Sequence, residues 1–283
     1  MDFLKQWAKP IVIISATFLI AWLMPSVPVD PWGIFSLRKA AFMVFALCFI
    51  QVFGAVMIRV LGGRRGSIMT GFFGGLVSST ATTVALARES NQGDPEFVGK
   101  EQLVFLSATA AMLVEGMAFV LLSTDAMRYS LLLIFVGPFL TTAVIVLILV
   151  KKIPHRAIKV EEAEIKFLPI LGLAAFIVAV LAISKLLQSV FGQSGLVVLT
   201  FLVSLFEIHG SIIANLQLLD SGAFGLKFLG GLLATSVAAS YISKLVLVNT
   251  IASPALKKKV TKYTVVILVS LLISWIFFVF SVS

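Results

Sequence analysis

The chain has 283 residues, of which 60% are hydrophobic and only 12% are charged. A soluble domain carries about 25% charged residues, so this composition excludes one and describes a polytopic membrane protein. The formal net charge of +9 would suggest nucleic acid in a soluble protein, but most Lys and Arg here flank apolar segments as topology signals, which excludes that partner.

In chain order, Lys5 and Lys9 precede an apolar run over about 10 to 25, and no small-residue cleavage site follows Met24. This predicts an uncleaved first helix. Further apolar runs fall at about 39 to 61, 67 to 87, 102 to 123, 129 to 150, 166 to 190, 195 to 219, 224 to 252 and 263 to 281. Each approaches or exceeds a spanning length, so the fold class is all-α, a single membrane domain over 1–283 with about 7–9 transmembrane helices. Cys48, the one cysteine, lies in an apolar run and reads as a small packed residue.

Nine straight crossings from a cytoplasmic N-terminus leave no charge bias. Setting aside the deep Lys244, 11 Lys and Arg fall inside and 10 outside. If the third and seventh runs instead enter and leave on one side, the split becomes 16 inside to 5 outside, as the positive-inside rule requires. The same two runs have the most polar centres, Gly74 to Thr83 and Leu205 to Ser211. Irregular backbone at membrane depth must be enclosed by protein or water, so both would be interior broken or re-entrant helices. The alternative is two intact helices in close contact, since Gly71, Gly75, Ser79 and Thr83 form a small-residue stripe.

A shift of 129 residues carries Ser78 onto Glu207, Thr80 onto His209, Thr82 onto Ser211 and Glu115 onto Lys244. One offset aligning two independent sets of features predicts an internal repeat, with one unit over about 39–150 and a second over about 166–281. Three crossings per unit make the copies opposite in orientation. Inverted repeats with interrupted helices are the build of many secondary transporters.

Residues Gly71 to Thr83, preceded by Asp30-Pro31-Trp32-Gly33, Arg38 and Leu61-Gly62-Gly63-Arg64-Arg65-Gly66, resemble the integral membrane domain of unknown function often fused behind an MgtC/SapB domain. The resemblance covers most of the chain. Where that family has Asp-x-His this chain reads Glu207-Ile208-His209, and the family's later Lys resembles Lys244. Ser240 stands in place of its Asn, and Glu115 where an Arg is common. The resemblance implies a bacterial-type plasma (inner) membrane protein with an association with magnesium homeostasis or ion transport.

The chemistry falls to few residues. Ser78, Ser79, Thr80, Thr82 and Thr83 offer hydroxyls for a ligand or for helix contacts, and hydroxyls alone do not fix a ligand's sign. Glu207 is the cation or proton ligand of choice, with Ser211 and Asn215 at spacing four behind it. His209 suits proton coupling or metal ligation once the backbone unwinds. Glu115 and Lys244 each cost a few kcal/mol at the bilayer centre and are expected to form a buried charge pair. Arg88, Glu89, Asp94, Glu96, Lys100 and Glu101 read as a solvated connector. Lys257, Lys258, Lys259 and Lys262 read as an anchor near anionic lipid.

With no HExxH, P-loop or GxSxG motif, the sequence is not that of an enzyme and implies no cofactor; whether it takes a metal is open. The expected function is transport of a small ion or solute, cation or proton coupled, at a site between two inverted repeats. The alternatives are a non-transporting regulatory or scaffolding subunit, and a lipid-headgroup carrier or membrane enzyme built on Glu207 and His209. The partners are the bilayer and the transported ion or solute, and the sequence leaves a homo-oligomer open.

Overall fold

The computed structural model describes residues 2–25, 36–60, 66–92, 98–123, 126–151, 167–220 and 224–282, and every element among them is helical. The order is α1 (Asp2–Leu23), α2 (Leu37–Val60), α3 (Ser67–Glu89), α4 (Val98–Ser123), a 3₁₀ turn (Ala126–Leu132), α5 (Leu133–Val150), α6 (Phe167–Phe206), α7 (Ile208–Asp220), α8 (Leu226–Ile251) and α9 (Pro254–Ser281). The motif residues Asp30 to Gly33 and Leu61 to Arg65, and the basic residues Lys152, Arg156, Lys159 and Lys166, lie outside the described residues.

Six helices are long and apolar enough to cross a bilayer: Leu37–Val60, Ser67–Glu89, Lys100–Leu122, Tyr129–Val150, Leu226–Ile251 and Pro254–Ser281. Pro10–Leu23 and Val190–Phe206 are shorter apolar helices. The protein is therefore an all-α polytopic membrane protein. α4 is the most enclosed of the six and packs against α3, α5, α7 and α9, with Phe105, Leu106, Met112, Leu113 and Phe119 fully buried.

Length alone misleads for α3. Its backbone leaves helical geometry at Ser78 (φ −168°, ψ 106°), where Ser78 Oγ accepts from Ala81 N as the N-cap of the second half. A methyl added at Gly74 would lie 3.0 Å from Thr82 Oγ1. In a straight helix those positions are about 12 Å apart along the axis. The helix is thus folded back on itself at Ser78. The direction of its first half agrees, because Gly71 abuts Val104 and Gly75 abuts Ala108, so residues 67–77 run parallel to α4. Consecutive straight crossings would run antiparallel.

The second hairpin follows the same plan. α6 turns at Gly192, whose φ of 60° and ψ of −143° suit glycine alone, and continues to Phe206. Glu207 interrupts it, and α7 follows. Thr200 Oγ1 donates to Asn215 Oδ1 at 3.3 Å. Fifteen residues of straight helix would separate them by about 22 Å. This hairpin folds at Glu207 as the other folds at Ser78.

A shift of 129 residues carries each helix from α2 to α5 onto one of the second half to within about three residues: α2 onto 167–191 of α6, the halves of α3 onto 193–206 and α7, α4 onto α8, and the 3₁₀ turn with α5 onto α9. Among the described residues this leaves seven helical segments and two hairpins. Nine straight crossings would put residues 88–101 and 253–262 on opposite faces of the membrane. Instead Ser253 N donates to Ser90 Oγ at 2.9 Å, and Asn91 Nδ2 donates to Ile251 O.

The connector after α3 differs from its expected solvation. Lys100 and Glu101 are buried, and Glu101 has Glu89 and Lys259 as electrostatic neighbours. Closing the hairpin onto the α8–α9 corner is what covers them.

Candidate functional site

The two breaks meet. A polar cavity of about 50 Å³ is lined by Val77, Ser78, Ser79 and Thr80 from the first tip and by Ser204, Leu205, Phe206, Glu207, Ile208 and His209 from the second, with Gln51 and Ser240 at its sides. At roughly 10–15 Å³ of such volume per water, it holds about three to five waters or one small ion. A larger groove of about 750 Å³ between α8 and α9 is lined almost wholly by apolar side chains, including Phe228, Leu268 and Trp275. The chemistry lies in the smaller space.

Glu207 precedes the first turn of α7, and its Oε1 accepts from His209 N at 3.0 Å, with the Gly210 amide also facing the carboxylate. A carboxylate there caps the free amides and meets the positive end of the helix dipole. The same Oε1 lies 3.0 Å from His209 Nδ1. The other ring nitrogen, Nε2, lies 2.9 Å from Glu115 Oε2, in ion-pair range but off the line of an N–H hydrogen bond. The imidazole thus bridges a partly exposed carboxylate (35%) and a buried one (1%).

Glu115 and Lys244, expected to interact directly or through one water, make no direct ion pair among the described residues but remain electrostatic neighbours. Lys244 Nζ donates to Ser240 Oγ at 2.7 Å and reaches Met112 Sδ at 3.3 Å, while Glu115 takes His209. The reason is geometric. Glu115 and Lys244 each lie four to six residues past the midpoint of their helices, about 7 Å. α4 and α8 both meet the α8–α9 corner from opposite chain directions, so the two residues fall on opposite sides of the midplane. Lys244 still has Glu207 and Glu115 as electrostatic neighbours. With all four groups ionised, their charges cancel.

Ser78, Ser79, Thr80, Glu207 and His209 gather at the cavity, and the other hydroxyl candidates do not. Thr82 faces Gly74 across the first hairpin, and Thr83 Oγ1 donates to Ser79 O at 2.7 Å. Ser211 and Asn215 both meet Ser236 of α8, at 3.1 Å and 3.4 Å. Thr82, Ser211 and Asn215 are helix contacts, and Thr83 bonds back to its own helix. Sequence reasoning missed Gln51 and Ser204, which carry no local polar pattern and become visible only once the tips face each other. Among the described residues no three His, Cys, Asp or Glu side chains could hold one metal ion, because His209 spends its two nitrogens on opposite carboxylates.

Fold and site together define a polytopic helical membrane protein with two interrupted hairpins meeting at a buried polar centre. Residues 46–252 match the family described as "Domain of unknown function (DUF4010)", and the chain belongs to that family. No curated protein and no solved structure matches it.

Proposed function

We propose that the protein transports a small ion across a bacterial-type inner membrane, with the site between the hairpin tips and the two halves acting as inverted repeats. The observation that carries this is the juxtaposition of Ser78 and Glu207, two helix breaks 129 residues apart, across one polar cavity. Breaking a helix at membrane depth strands backbone groups, a cost that is offset where those groups serve a ligand. A merely structural contact would be better served by intact helices. The cavity's size supports an ion over a larger solute. The cytoplasmic N-terminus and the association with MgtC/SapB domains belong to the same reading, and the latter is why magnesium is among the ions to be tested.

Glu207→Gln should abolish transport without unfolding the protein, since the amide keeps the shape of the cap and loses the charge. Purified protein in liposomes, assayed for flux under sodium, potassium, magnesium and proton gradients, tests it. Wild-type protein that moves none of these would transfer the assignment to a regulatory membrane subunit.

A further inference from the structure

We infer that the cavity binds one dehydrated monovalent alkali cation, held by Ser204 Oγ, the carbonyl oxygens of Leu205 and Phe206, and the Glu207 carboxylate. This rests on the transport reading above and names its ion class. The sign follows from which groups are already spent. At the second tip the amides of His209 and Gly210 point to the Glu207 carboxylate. Those amides are the helical donors for the carbonyls of Leu205 and Phe206, four residues back, so both carbonyls are left without them. Both residues line the cavity. Ser204 lines it too; its side chain is 1% exposed and its hydroxyl has no hydrogen-bond partner. The neighbouring cation is committed, since Lys244 Nζ donates to Ser240 and Met112. The second tip therefore offers acceptors, and its own amide donors, those of His209 and Gly210, are already engaged by Glu207.

The valence follows from charge. The cost of taking an ion from water grows as the square of its charge, while attraction to the one carboxylate on the cavity grows only linearly. Lys244 repels a divalent ion twice as strongly as a monovalent one. Magnesium also gives up its waters reluctantly and demands octahedral geometry.

The test is thermal unfolding of the purified full chain in detergent, titrated with NaCl, KCl or MgCl2 at ionic strength held constant with choline chloride. A saturable rise with sodium or potassium, unchanged when sulfate replaces chloride, is expected, with no saturable rise from magnesium. Ser204→Ala should weaken the apparent affinity about tenfold or more, the scale of a lost contact to a charge, while Ser204→Thr retains it. Removing an unpartnered hydroxyl does not threaten the fold. A rise set by magnesium or by the anion, no rise with either alkali cation, or identical titrations for wild type and Ser204→Ala would overturn the site. Flux of magnesium without an alkali-cation response would overturn this inference and leave transport standing. An alkali-cation response in a protein that moves nothing would keep the site and overturn transport.

Discussion

His209 has two carboxylate partners, and they are not equivalent. Glu207 sits at a helix start and is partly exposed, whereas Glu115 is 1% exposed on the interior helix and, among the described residues, touches no donor except the imidazole. His209→Gln therefore strands a buried carboxylate, while Glu115→Gln leaves the imidazole its contact with Glu207. Breaking a buried pair from one side costs about 3–5 kcal/mol. That full cost is expected for His209→Gln, and a smaller one for Glu115→Gln. Adding Glu115→Gln to His209→Gln should restore part of the loss. Thermal unfolding of the three variants in detergent decides this, and simply additive losses would mean that the two side chains do not depend on each other. Sequence reasoning found both residues as buried ionisable groups but paired Glu115 with Lys244 and did not foresee its contact with His209. An offset in sequence says which positions correspond, and on antiparallel helices corresponding positions meet only at the midplane.

The first hairpin stands on close backbone contact, so glycine is required where it touches α4. A methyl at Gly75 would lie 2.6 Å from Ala108 Cα, against backbone that cannot move aside. Gly75→Ala should destabilise the protein by about 1–3 kcal/mol, the usual scale of overpacking. Gly66, with open space around it, should accept alanine without loss. Equal melting temperatures for the two variants would contradict the hairpin's packing. The polar run at Ser78 and the Gly74-Gly75 pair made the first break legible in sequence, because Ser is a good N-cap and Gly a poor helix former. The stripe of Gly71, Gly75, Ser79 and Thr83 was the alternative to a break; the structure keeps its close contact at Gly71 and Gly75, and the break at Ser78 separates these from Ser79 and Thr83. The burial of Lys100 and Glu101 was not legible, since it depends on which corner of the molecule the hairpin returns to.

At the scale of the whole molecule, hydropathy counts nine apolar runs but cannot tell a hairpin from a crossing, because both need about twenty apolar residues. Charge can, since a hairpin reverses the side of every loop that follows it. Moving the third and seventh runs from crossings to hairpins changes the basic residues from 11 inside and 10 outside to 16 and 5. The hydrogen bond between Ser90 and Ser253 requires the reassignment of the seventh run on independent grounds, and the parallel course of residues 67–77 and α4 that of the third. Single cysteines in a background with Cys48 replaced by alanine test the resulting topology. Cysteines at Gly66 and Gln92, which flank the first hairpin, should react from the same face, and that face should be the one that exposes Lys258. A cysteine at Ser281, one pass of α9 away, should react from the other. With a cytoplasmic N-terminus, an impermeant reagent added outside intact cells should modify Ser281→Cys and spare the other three. Modification of Gln92→Cys from outside, with Gly66→Cys protected, would make α3 a crossing and separate the tips on which the cavity depends.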